Sequence, residues 1–219
     1  MVRHFILDLV LNLANSSPLQ TVTDKKVMCN GGTKADLSAP VKAGGSVKAV
    51  WKQWTHSQGP VMVWMYKCAG DFSSCDGSGK KWFKVSSLPF LPRLPNTHLT
   101  LNPQIDQKGM TAPPLSGTAW GNDDILKKLQ WTSTIPASLA PGNYLIRHEL
   151  LALHQANTPQ FYAECAQLQV TGSGSASPSG DFLATIPGYA PQSDPGITVD
   201  TYMSKSTTYT PPGPKVWTG

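Results

Sequence analysis

Four cysteines, Cys29, Cys68, Cys75 and Cys165, set the tightest limit on how this chain can fold. Four thiols can pair in three ways. Cys68 and Cys75 enclose only Ala-Gly-Asp-Phe-Ser-Ser, which reads as a local disulfide loop. Cys29 and Cys165 then form a long-range staple near both ends of the core. Such bonds persist in an oxidising, secretory compartment. A zinc site is the competing use of cysteine, but it usually draws on a C-x-x-C pair, and the chain has none.

What the staple closes over is a β protein. With 219 residues, 40% hydrophobic and 14% charged, the chain can build one good-sized core, which excludes disorder of the whole. The 19 Gly and 19 Pro favour many turns between short strands and argue against a helical bundle. Residues 47–51, 59–66, 142–154 and 160–170 are β-branched and aromatic runs bounded by Gly, Pro or Ser, as strands should be. In the last of them Gln160, Tyr162 and Glu164 share one face while Phe161, Ala163 and Cys165 share the other. The one convincing helix spans about 122–129, with Asn122 or Asp123 as its cap. The expected fold is therefore all-β, an immunoglobulin- or fibronectin-like β-sandwich with long loops and one or two short helices. After residue 171 a Gly/Ser-rich stretch looks like a linker, but Tyr189, Tyr202, Tyr209 and Trp217 follow it, so the tail is expected to wrap back over the sandwich.

Charge and hydropathy narrow the partners. The net charge is +5, yet the densest basic groups are the pairs Lys25-Lys26, Lys80-Lys81 and Lys127-Lys128, which read as solvated faces and not as a nucleic-acid surface. No apolar run approaches the ~18 residues of a membrane span. The start, Met1-Val2-Arg3-His4 followed by an apolar stretch interrupted by Asp8, is a poor imitation of a signal peptide.

Several enzyme classes lack their motifs. Glu149 and Glu164 are the only glutamates and neither stands in a pattern that marks a glycosidase acid or nucleophile. There is no G-x-S-x-G elbow and no Gly-rich phosphate loop after a strand. Histidine and tyrosine say more. His56 sits in Trp54-Thr55-His56-Ser57-Gln58-Gly59-Pro60, ahead of an apolar strand, where a metal or solvent can reach it. His154 ends one strand, and Gln160 and Tyr162 begin the next, so a hairpin sets these three side by side. Taken alone, that group is also what a buried Tyr and His satisfying each other would look like.

The residues resemble the fungal lytic polysaccharide monooxygenases of auxiliary activity family nine, formerly glycoside hydrolase family sixty-one. The matching segments include Thr55-His56-Ser57-Gln58-Gly59-Pro60, Lys81-Trp82-Phe83-Lys84, Gln160-Phe161-Tyr162-Ala163-Glu164-Cys165 and Ile186-Pro187-Gly188-Tyr189, and they run from about Asn15 to Gly219. The resemblance implies a secreted, extracellular, monomeric enzyme with one copper ion. It would cleave β-1,4-glucan chains on a cellulose surface by oxidation, using O2 or H2O2 and an external reductant, either a small molecule or a redox protein. In the family a histidine brace holds copper: the amine and imidazole of an N-terminal His and a second imidazole. His56 matches the second imidazole, Tyr162 the axial tyrosine, His154 and Gln160 the outer pair that hydrogen-bonds the oxygen species, and Tyr209 an aromatic on the flat substrate face. The family pattern also agrees with Cys29–Cys165 and Cys68–Cys75.

Two departures accompany the match. Residues 1–14 form an atypical start in place of the family's leading segment, and His4 cannot serve as the brace because its nitrogen lies in a peptide bond. A chain of this literal sequence is expected to bind copper weakly. The alternative function is then a non-catalytic secreted cellulose-binding protein. Residues 85–104 intervene where the family runs from a Lys84-like position almost directly to an Asp-Gln-Lys-Gly segment, as an unspliced intron would. Otherwise 1–219 is expected to be one catalytic-type domain with no appended carbohydrate-binding module.

Overall fold

The computed structural model describes residues 17–85 and 107–219. The atypical start, His4, and all of the expected insertion except Val85 lie outside the described residues. The strands are β1 (Ala39–Lys42), β2 (Ser46–Val50), β3 (Val61–Lys67), β4 (Trp82–Val85), β5 (Gln107–Lys108), β6 (Gln130–Thr134), β7 (Gly142–Ala152), β8 (Gln160–Thr171) and β9 (Val216–Trp217). One sheet has the order β1-β8-β7-β3-β4-β9, with β5 also on β3, and a second sheet pairs β2 with β6.

The period of two along each strand divides the core between the two faces of the large sheet. Val61, Val63 and Met65 of β3 and Ile146 and Leu150 of β7 pack on one face with Trp54, Trp131 and Ile135. Met62, Trp64 and Tyr66 with Leu145 and Leu151 pack on the other, against Val22, Val27, Ile186, Tyr189 and Ile197. The small sheet thus covers one face, and the segments before β1 and after β8 cover the other. That is why β3 reads as a nearly unbroken apolar run, buried from Val61 to Tyr66. In β6, where one side faces water, the burial alternates instead, with Trp131 and Ser133 inward. The architecture is a β-sandwich, as expected.

The tail returns over the sheet, also as expected. Ala184 bridges to Trp82, and the Trp217 side chain is buried at the end of β9. Charged groups hold it there. The fully buried Glu149 carboxylate accepts from Arg147 (2.5 Å), Trp64 (3.0 Å) and the Tyr189 hydroxyl (2.7 Å), and the buried Lys84 ammonium donates to the Pro212 carbonyl at 2.6 Å. Deleting one partner of such a buried ion pair costs about 3–5 kcal/mol, because the other charge is stranded. Both disulfides are present, Cys29–Cys165 and Cys68–Cys75.

The helix α1 (Gly121–Lys128) begins one residue before the expected position, and neither Asn122 nor Asp123 caps it. Trp120 occupies the cap in extended conformation without a side-chain bond. The backbone amides of Gly121 and Asn122 donate to Gly109 and Gly59 instead, so tertiary carbonyls do the work of a cap. The Asn122 side chain is thereby freed to donate to Leu151 (3.0 Å) and Gln58 (3.4 Å).

β4 and β5 lie along the same edge of β3 in a common register. Trp64 faces Lys84, so an unbroken strand would place the residue after Val85 opposite Met62; Gln107 stands there. The chain therefore leaves at Val85 and rejoins at Gln107 as two parts of one strand.

Candidate functional site

His56 lies in the loop before β3, and the geometry of that loop is set by its neighbours. Gly59 has φ +121°, and a Cβ there would come within 1.8 Å of the Leu151 carbonyl, so only glycine permits the approach. Leu151 then donates to Pro60 (3.2 Å) and Leu153 to Gln58 (3.1 Å), which ties the loop to the end of β7. In the β7–β8 hairpin Ala152 faces Gln160, and Asn157 takes the left-handed conformation in the turn. His154 falls two residues beyond the strand instead of ending it.

The structure brings together His56, His154, Gln160 and Tyr162. His56 Nε2 lies 3.2 Å from the Tyr162 hydroxyl, which donates to Gln160 Oε1 at 2.9 Å. Gln160 Nε2 in turn donates to Gln155 at 3.3 Å. His154 does not bond Gln160 or Tyr162 but stacks on His56, the ring centroids 3.9 Å apart and the planes 6° from parallel. Its Nδ1 is buried without a partner.

Burial moves the titration of every one of these rings away from charge. The His56 imidazole is held below its ordinary value, first by burial and then by the neighbouring His154. His154 is lowered and Tyr162 raised by burial alone. Below the pair, Glu164 follows Tyr162 on the same face of β8 and is pushed up to about 7 by burial, which Arg147 offsets only in part. Across from it His148 is driven down to about 4, again by burial.

Two residues of the site escaped sequence reasoning. Trp54 meets His56 and Tyr162 edge-on, with centroids 5.1 and 5.0 Å away, and walls both rings. The spacing of two residues before His56 was the only local sign of it. Tyr202 donates its hydroxyl to the His154 carbonyl at 3.0 Å and is 56% exposed. An aromatic in an otherwise polar stretch was the signal there. Tyr209, by contrast, departs from the expected flat face. Its ring packs edge-on to Trp120 at 4.7 Å, its hydroxyl donates inward to Gly196 at 2.6 Å, and burial followed by the charges of Asp194 and Glu149 holds the phenol well above its ordinary value. Tyr209 belongs to the margin of the core, and Tyr202 is the ring open to solvent beside the histidines.

The donor set suits copper in part. A neutral imidazole nitrogen and a phenol oxygen converge from a loop and a strand, and imidazole is among copper's preferred ligands. Among the described residues no cluster of three or more His, Cys, Asp or Glu could hold a metal.

The family model for Auxiliary Activity family 9 (formerly GH61) matches residues 8–209. The chain is 50% identical over 204 residues to AA9 family lytic polysaccharide monooxygenase D of Thermothelomyces thermophilus, covering 93% of this chain and 75% of that one. It is 42% identical over 209 residues to AA9 family lytic polysaccharide monooxygenase B of Heterobasidion irregulare, covering 93% and 78%. Among solved structures, a cellulose-active polysaccharide monooxygenase from M. thermophila superposes with a TM-score of 0.82 at 45% identity, over 96% of this chain and 88% of that one.

Proposed function

Because the chain belongs to Auxiliary Activity family 9, whose lytic polysaccharide monooxygenases are copper-dependent oxidoreductases, we propose that it cleaves β-1,4-glucan chains of cellulose oxidatively at the face formed by His56, His154, Tyr162 and Tyr202. The observation that carries this reading is the convergence of His56 Nε2 and the Tyr162 hydroxyl, with the exposed Tyr202 bonded to the carbonyl of His154, the residue stacked on His56. The cellulose activity named for the M. thermophila structure supports the choice of substrate.

His56 would hold one copper ion through Nε2, with the Tyr162 oxygen as a further donor. When bound, copper supplies the one-electron chemistry that activates O2 or H2O2, fed by an external reductant. The protein's own part is preorganisation. Trp54 fixes the His56 and Tyr162 rings, and the lowered proton affinity of His56 keeps it in the neutral form that a metal needs. Gln160 Oε1 accepts the hydrogen bond of the Tyr162 hydroxyl, which turns the phenol oxygen's lone pairs toward His56. His154, held by its stack, stands as the donor toward a developing oxygen charge. Tyr202 offers an apolar ring face on which a glucose unit can stack.

Two disulfides support action outside the cell, and no helix among the described residues is long and apolar enough to cross a membrane. The family match favours the enzyme over a binding protein without chemistry. The test is to incubate copper-loaded protein with cellulose, ascorbate and H2O2 and to analyse the soluble sugars by mass spectrometry. Oxidised oligosaccharides that vanish in His56→Ala are expected. Release of no oxidised product by the copper-loaded protein would overturn the reading.

A further inference from the structure

We propose that Thr201 and Gln58 form a buried clip that holds Tyr202 beside His154, which makes Thr201 a positioning residue for the carbohydrate-facing ring. The inference rests on the reading of Tyr202 as that ring, and deepens it.

Thr201 is 1% exposed and Gln58 4%, although both are polar and both lie in loops. The Thr201 hydroxyl reaches Gln58 Oε1 at 3.3 Å and the Leu153 carbonyl at 3.2 Å, and its single proton serves one or the other. Gln58 Nε2 is committed to the Ser116 carbonyl at 3.1 Å, so its oxygen is the end left for Thr201. Gln58 stands two residues after His56, and Leu153 one residue before His154. One hydroxyl therefore ties the tail to the loop of one histidine or the other, at the position directly before Tyr202.

The rest of the tail's local structure makes this bond decisive. Asp200 Oδ1 accepts from the amides of Tyr202 and Met203, both at 3.0 Å, and the Asp200 carbonyl accepts from Ser204 at 3.0 Å. These bonds close a small rigid turn, yet they are internal to it and do not say where it sits. Upstream, Asn157 donates to Val199 at 3.1 Å. Downstream, the hydrogen bonds of residues 203–208 reach only one another and Asp200. Besides the Tyr202 hydroxyl, which donates to His154, the Thr201 clip is what docks the turn on the site. Tyr202 and Met203, 56% and 79% exposed, are thus an apolar pair that water would ordinarily leave mobile, presented on a backbone that is anchored.

The test compares Thr201→Val, which keeps the shape and loses the hydroxyl, with Thr201→Ser, which keeps the hydroxyl, and with Tyr202→Ala. Two quantities are read: amide hydrogen exchange of residues 198–209 in the free protein, and equilibrium binding to microcrystalline cellulose without reductant. Thr201→Val is expected to speed exchange and weaken binding, each about threefold to tenfold, the worth of one net hydrogen bond. Thr201→Ser is expected to restore both. If Thr201→Val does not yield folded protein, Thr201→Ala takes its place. Unchanged exchange in the valine variant overturns the clip, as does faster exchange with unchanged binding while Tyr202→Ala binds weakly. If Tyr202→Ala itself binds like the parent, it is the carbohydrate reading of Tyr202 that fails, and exchange alone then decides whether the clip exists.

Discussion

The imidazoles of His56 and His154 lie face to face, 3.9 Å apart and 6° from parallel. Two cations cannot share that geometry cheaply, so protonating one ring opposes protonating the other. Because the folded His56 binds its proton more weakly than the unfolded chain does, its contribution to stability is complete above pH 6.5 and is lost as the pH falls below that value. His154→Ala is expected to raise the His56 titration toward its ordinary value without reaching it, since burial, the larger cause, remains. NMR titration of the metal-free protein reads this directly, and an unmoved His56 titration would exclude the electrostatic coupling.

A second acid effect is expected from His148. It is buried and titrates near 4, so between pH 6.5 and about 4 the unfolded chain binds the proton and the native state does not. Stability should fall across that window, by an upper limit of about 3 kcal/mol. Glu164 works in the opposite sense. Its value is raised from 4.5 to about 7, so its contribution is complete below 4.5 and fades as the pH rises toward 7. Urea unfolding at a series of pH values should therefore show a steeper acid loss in Glu164→Gln than in the parent, and a shallower one in His148→Phe.

The two disulfides differ in what they close. Cys29–Cys165 spans a separation of 136 residues and Cys68–Cys75 only 7. Chain entropy assigns about 5 kcal/mol to the first and about 2.5 kcal/mol to the second. The double variant Cys29→Ala/Cys165→Ala should accordingly lower the denaturation midpoint by clearly more than Cys68→Ala/Cys75→Ala. Equal losses would show that the long staple closes a loop already restricted in the unfolded chain.

Met62 pairs with Gln107 at the point where the residue after Val85 would fall. A variant lacking residues 86–106 should join β4 to β5 without a change of register, and should fold with equal or greater stability because the two strands are then brought together with no intervening chain to close. Removing residues 85–104 instead would leave one residue too many and require a bulge. Thermal unfolding of both variants separates these outcomes, and sequencing of spliced message shows which stretch the native transcript omits. A message that encodes residues 85–104 would end the intron reading.

Much of the fold and part of the site could be read from local pattern. The alternation in β8 set Tyr162 and Phe161 on opposite faces, the spacing of the cysteines implied both pairs, and the turn before Gln160 brought Tyr162 near His154. These are consequences of the strand period and of short chain closures, which depend on neighbouring residues alone. The helix cap was misjudged because distant carbonyls, those of Gly59 and Gly109, satisfy the amides that Asn122 or Asp123 was expected to serve.

The choice between Tyr202 and Tyr209 could not be made from sequence, since both are tyrosines in the same polar tail. What separates them is that Trp120 and the Gly196 carbonyl receive one side chain, while the other stays exposed with its hydroxyl on the His154 carbonyl. Likewise no local pattern marks Arg147, Glu149 and Lys84 as buried; β7, β4 and the tail close around them. Sequence by itself determined β2, β3, β7 and β8, the two faces of β8 and the cysteine pairs, because these follow from spacing along the chain. Exposure, proton affinity and the stacking of His56 on His154 were decided by tertiary structure, because each depends on which distant groups exclude water from a given atom.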